Sequence, residues 1–127
     1  MTMNKLPEIV LNAWNNRKGP SVFSTVNKNG TPNSIYVNSI SLFDENQIIV
    51  ANNFFCKTLE NIFSGSTGAI LFITNDDMSY QIKGGVSYFT EGEQFDDMKK
   101  WNPSHLPGHG VAVMEISEVF TRVGKLL

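Results

Sequence analysis

Residues 36–62 read YVNSISLFDENQIIVANNFFCKTLENI, and their reading decides the fold. The polar tetrad DENQ at 44–47 turns the chain between two apolar stretches. Upstream, residues 34–43 (SIYVNSISLF) alternate as a strand, with Ile35, Val37 and Ser39 on one face and Tyr36, Asn38, Ile40 and Leu42 on the other. Downstream, residues 48–51 (IIVA) form a further strand that runs out into Asn52-Asn53. From Lys57 the spacing becomes helical over residues 57–64, with Leu59, Ile62 and Phe63 on the inner face and Gly65 as a stop. A strand-to-helix junction opened by Lys-Thr can hold an anion, because the ammonium, the hydroxyl and the first-turn N–H groups converge there. Taken alone, the pair reads more simply as a solvated lysine and a helix-opening threonine with no ligand.

Outward from this stretch the same grammar continues. Residues 21–26 (SVFSTV) are apolar and β-branched, and NKNGTP at 27–32 joins them to the next strand as a hairpin. TGAILFIT at 67–74 reads as a buried strand, with Asn75-Asp76-Asp77 as a turn. SYQIKGGVSYFT at 79–90 is a long strand whose Gly84-Gly85 pair predicts a bulge or bend. GVAVMEISEVFTRV at 110–123 is the last strand. Two further segments carry helical spacing: residues 7–17 (PEIVLNAWNNR), with Trp14 toward the core, and residues 91–101, with Phe95, Met98 and Trp101 in phase. NPSHLPGHG at 102–110 is irregular. The sum is a mainly β chain: six antiparallel strands closing into a small barrel, with two or three short helices. So small a barrel fills its interior with side chains, so a ligand must sit in an outer groove, one that a second subunit can complete.

Composition narrows the function. The chain of 127 residues fits one domain. The net charge is −2, the ten basic residues are scattered, and no basic run is longer than a pair such as Lys99-Lys100, which argues against a nucleic-acid partner. A single cysteine, Cys56, fits a reducing cytoplasm. No apolar run approaches the roughly 20 residues that span a bilayer, and the N-terminal MTMNKLPEIV lacks the apolar segment of a signal peptide.

Four stretches in this order and spacing, YVNSISLFDENQIIVANN, CKTLENI, SYQIKGGVSYF and LPGHGVAVMEISEVF, resemble the flavin-binding split barrel of the pyridoxamine 5′-phosphate oxidase-like family. Size and layout resemble its small bacterial FMN-binding proteins, over residues 21–123. The resemblance implies a homodimer holding FMN at the subunit interface. It implies that Tyr36, Val37, Asn38 and Ser39 run along the flavin and ribityl chain, and that Ala51, Asn52 and Asn53 face the ring edge. It implies that Lys57 and Thr58 hold the phosphate, that Gln81 reaches FMN, and that Trp101 points toward the partner's flavin. The sequence also departs from the true oxidases. Their Ser-Arg-Lys phosphate motif is Cys56-Lys57-Thr58 here, and the C-terminal TRVGKLL lacks the Arg and His that grip the vitamin's phosphate. Oxidation of pyridoxamine phosphate itself is therefore not expected.

Each residue type has a plain alternative. Asn52-Asn53 suits a turn as well as a flavin's ring edge. Phe54-Phe55 covers a flavin or packs into the core. Cys56 has no accompanying His, Asn or Asp pattern and reads as a free thiol. His105 and His109 straddle Pro107-Gly108 and have no third ligand, so a zinc site is not expected. No acid–base pair of carboxylates stands out, and flavin chemistry does not need one, because the cofactor carries the electrons. Three functions follow from the reading: a flavin redox enzyme moving electrons or hydride between a reduced nucleotide or protein and an acceptor, a non-catalytic flavin carrier or stress-related binder, and a flavin-free binding module. Related barrels hold deazaflavin or haem.

Overall fold

The computed structural model of the chain describes residues 5–127; the first four residues of the N-terminal stretch lie outside them. The three helices form where the spacing predicts them: α1 at Glu8–Asn15, α2 at Lys57–Phe63 and α3 at Glu93–Trp101. Among the described residues the strands number eight, where the sequence predicts six. They are β1 Ser21–Val26, β2 Pro32–Val37, β3 Ile40–Phe43, β4 Gln47–Ala51, β5 Thr67–Ile73, β6 Ser79–Phe89, β7 Val111–Thr121 and the short β8 Gly124–Lys125.

The main difference lies in residues 34–43. One strand was expected there, but the ladder breaks at Asn38-Ser39, where the Ile40 N–H donates back to the Asn38 carbonyl at 3.1 Å. The break changes which side chains face inward. Uninterrupted alternation sets Ile35 and Val37 opposite Ile40 and Leu42; in the structure all four join the same core. Two residues, Asn38 and Ser39, separate Val37 from Ile40 where alternation would place one, and that one extra residue restarts the period-2 pattern in the other phase.

That break also closes the barrel. The antiparallel sheet runs in the order β2-β1-β5-β6-β7-β4-β3, with β8 pairing β7. β2 and β3 are thus its two opposite edges, yet only Asn38 and Ser39 separate them in the chain. Three residue steps reach at most about 11 Å. The sheet must therefore curl until its edges meet, leaving a seam instead of a hydrogen-bonded ladder.

Two cores hold this form. The inner one packs Phe23, Ile48, Val50, Ile70, Ile82, Met114 and Val119 inside the curl and is capped by Val10 and Trp14 of α1. Trp14 meets Phe72 edge to face, ring centroids 5.3 Å apart. The smaller one lies outside, where Met98 of α3 covers Ile49, Ala51, Val111 and Val113. β4 is therefore buried on both faces, which is why it reads as a continuous apolar run. The α3 helix has Glu93 and Asp96 in its first turn and Lys99 and Lys100 in its last, complementing its dipole.

The predicted bulge falls between Lys83 and Gly84, where the β6–β7 register shifts and leaves Ser117 outside the ladder. Gly84 has no substitute there: a Cβ would lie 1.6 Å from the Glu115 carbonyl oxygen. One helix face departs from expectation. In α2 the buried residues are Thr58, Asn61 and Ile62, while Phe63 is 69% exposed and rests its ring against Tyr88 at 5.5 Å. Polar side chains occupy the inner positions because strands meet them with partners: Asn61 Nδ2 donates to Thr25 Oγ1 and Asn33 Nδ2 to Thr58 Oγ1, both at 3.0 Å.

Candidate functional site

A groove of about 350 Å³ lies along the seam. Ile35, Tyr36, Val37, Asn38 and Ser39 form one wall, and Ala51, Asn53, Phe54, Phe55 and Leu106 form the other. Among the described residues no charged side chain lines it. The volume lies in the range of about 300–1,000 Å³ common for small-molecule sites. Phe55 is half-buried and leans on Phe23, ring centroids 6.0 Å apart, while Phe54 is 79% exposed at the rim. Of the two phenylalanines, Phe55 therefore packs against the core and Phe54 does not.

The Asn52-Asn53 pair builds the wall. Asn52 is buried behind it: its Nδ2 donates to the Tyr88 hydroxyl at 2.7 Å and its Oδ1 accepts the Phe55 N–H at 2.9 Å. Asn53 lines the groove, but its amide is fully used. Its Oδ1 accepts from Gly108 N–H and from Asn102 Nδ2, each at 2.9 Å, while its Nδ2 donates to Asn102 Oδ1 at 2.9 Å and to Ser39 Oγ at 3.2 Å. The Asn52 carbonyl accepts the His109 N–H at 2.9 Å, and the Asn52 N–H donates to the Gly110 carbonyl at 2.9 Å. In this way the irregular segment 102–110 is fastened to the end of β4, which sets Leu106 into the groove.

The expected residues divide into groups. Tyr36, Val37, Asn38, Ser39, Ala51 and Asn53 meet in the groove. Trp101 stands in an adjoining hollow of about 380 Å³, which shares Asn38, Ser39 and Leu106 with the groove. Its indole N–H donates to Asp97 at 3.0 Å. Lys57 and Thr58 begin α2 just past the phenylalanines, and neither lines the groove. The Lys57 side chain is 53% exposed and only loosely paired, 3.7 Å from Glu60; Thr58 is buried. Gln81 lies elsewhere, on the outer face of β6, in a hollow with Ser24, Lys83 and Glu118. Within one chain it does not meet the others.

Leu106 and Ile35 line the groove without having been singled out from the sequence. Ile35 carries a plain alternation signal. Leu106 carries none, since its place depends on two asparagines about fifty residues upstream.

A curled antiparallel barrel, split at one seam and grooved there, defines the split-barrel class. The profile of the pyridoxamine 5′-phosphate oxidase family matches residues 10–122, and the chain belongs to that family. An uncharacterized protein of Methanocaldococcus jannaschii is 31% identical over 102 residues, spanning 76% of this chain and 68% of the relative. HupZ of Group A Streptococcus superposes with a TM-score of 0.82 at 22% identity, over 96% of this chain and 98% of that one. An FMN-binding protein from Syntrophomonas wolfei superposes with a TM-score of 0.75 at 23% identity, over 91% and 84%. These two structures share the fold.

Proposed function

We propose that this chain is a homodimeric FMN-binding redox protein of the cytoplasm, one split-barrel domain per subunit. In this reading it passes electrons or hydride between a reduced nucleotide or protein donor and an acceptor. The observation that carries the reading is the seam groove, which gathers Tyr36, Val37, Asn38, Ser39, Ala51 and Asn53 between aromatic walls. A neutral lining suits the flavin ring, and Lys57, exposed and weakly paired, is the cation to which a phosphate would turn. The flavin, when bound, supplies the redox chemistry; the chain's residues bind it, orient it and shield it.

An open face of the sheet supports the dimer reading. α3 covers the outside of β4 and β7, while the outward row across β2, β1, β5 and β6 is left open to solvent among the described residues. Register puts Tyr36, Val22, Leu71, Gln81 and Phe120 side by side in one row across that face. Tyr36 is 77% exposed and Leu71 43%. A second copy laid there buries the row, and it is the arrangement that lets Gln81 approach a flavin held by another subunit.

The test is an absorbance spectrum of the purified protein, with acid-released cofactor identified by mass. Flavin bands and released FMN support the reading; a colourless protein that takes up no added FMN ends it. Adding NADH or NADPH then separates enzyme from carrier. Bleaching of bound flavin favours the enzyme, and flavin inert to both favours a carrier or storage role.

A further inference from the structure

The hydrogen bonds around Asn53 fix more than a loop. The Gly108 N–H can only donate, so the atom of Asn53 that it meets at 2.9 Å is the carbonyl oxygen. That hydrogen bond sets the orientation of the amide. The Asn53 Nδ2 must then face Ser39, and Ser39 Oγ accepts at 3.2 Å. A hydroxyl that accepts keeps its own proton to donate. Among the described residues no acceptor takes it, and Ser39 is half-buried on the strip common to the groove and the adjoining hollow. Asn53, which reaches this part of the wall from just past β4, has nothing left to give, and Asn38, also on the shared strip, is exposed where Ser39 is half-buried.

We infer that Ser39 is the specificity-determining donor of the site, its hydroxyl proton directed to a carbonyl oxygen on the pyrimidine end of the bound ring. This rests on the flavin reading above and gives it an atom. The chain from Gly108 through Asn53 to Ser39 presets the donor before a ligand arrives, so little ordering is lost on binding. It also sets a selection rule: a ring with a carbonyl acceptor at that point is held, and one lacking it leaves the hydroxyl unpaired.

The experiment compares FMN binding to the full chain with Ser39, Ser39→Ala and Ser39→Thr, by fluorescence titration and by infrared difference spectra of the bound flavin's carbonyl bands. Ser39→Ala is expected to weaken FMN about five- to tenfold, the scale of one neutral hydrogen bond. One carbonyl stretch should move to higher frequency, as the bond to its oxygen is lost. Ser39→Thr, which keeps the hydroxyl, should restore both. If Ser39→Ala binds FMN like the wild type with unmoved carbonyl bands, the inference is overturned and the flavin reading stands. If the wild type takes up no FMN, both fall.

Discussion

Asn53 and Asn102 pair amide to amide, each Nδ2 donating to the other's Oδ1 at 2.9 Å, both side chains buried. One sits at the end of β4 and the other at the end of α3, so the pair clamps residues 103–109 against the seam. Asn102→Ala leaves part of the Asn53 amide buried and unpaired. The expected loss is about 1–3 kcal/mol of stability, read by chemical denaturation, with faster proteolytic cutting within 103–109. Cleavage at the wild-type rate would show that the loop is held by something else, such as the 3.1 Å bond from Lys99 Nζ to the Pro107 carbonyl.

The bulge offers a matched pair of glycines. A Cβ on Gly84 would meet the Glu115 backbone at 1.6 Å, whereas one on Gly85 meets nothing within 4 Å. Gly84→Ala should cost about 4 kcal/mol or more, or prevent folding, and Gly85→Ala should stay within about 1 kcal/mol. Thermal melts of the two variants side by side decide the matter, and similar melting temperatures would mean that β6 shifts easily past β7.

Lys57 is the proposed phosphate cation. Lys57→Ala should weaken FMN by about 1.5–3 kcal/mol, the scale of a charge-assisted hydrogen bond. Riboflavin, which lacks the phosphate, should bind both proteins equally. An equal loss for both ligands would place Lys57 outside the phosphate site.

Leu71 stands in the middle of the uncovered row, 43% exposed in the single chain. A charge there should be tolerated by the barrel but not by a partner. Leu71→Asp is expected to sediment as a monomer, retain its fold by circular dichroism and lose flavin. A flavin-loaded monomer would show that the groove is complete within one chain.

The turn between β5 and β6 is tied to the residues after α1 by an ion pair and hydrogen bond between Lys18 and Asp77. This contact holds the Asp77 carboxyl below its ordinary value, first through the hydrogen bond and then through the lysine charge. A depressed folded value means that the contribution is fully present above the ordinary carboxylate range. It is lost as pH falls through the folded value. Asp77→Asn should therefore flatten the acid limb of a stability–pH curve and leave its neutral part with the wild type's shape. An unchanged acid limb would assign that slope to other carboxylates.

How far the sequence carried can be judged element by element. Alternation and turn chemistry are local signals, so β1, β4, β5, β6, β7 and all three helices stand where their residues place them. The Gly84 bulge was legible because glycine at a ladder position has few other uses. The break at Asn38-Ser39 left only a faint trace, the change of parity from Ile35 and Val37 to Ile40 and Leu42, and nothing local marks a segment that serves both edges of its sheet. Phe63 was placed inward because apolar periodicity cannot anticipate that Asn33 and Thr25 offer hydrogen bonds to Thr58 and Asn61.

By itself, then, the sequence determined a mainly β chain with short helices, a helix opened by Lys57-Thr58 and the family to which both belong. These depend on residues close together in the chain. Tertiary structure alone decided that the two ends of the sheet meet, that Asn52 and Asn53 are spent on holding a loop, and that Leu106 lines the groove while Gln81 faces away from it. Each of those depends on which partner a buried polar group finds at long range, and that is settled only when the sheet curls and closes.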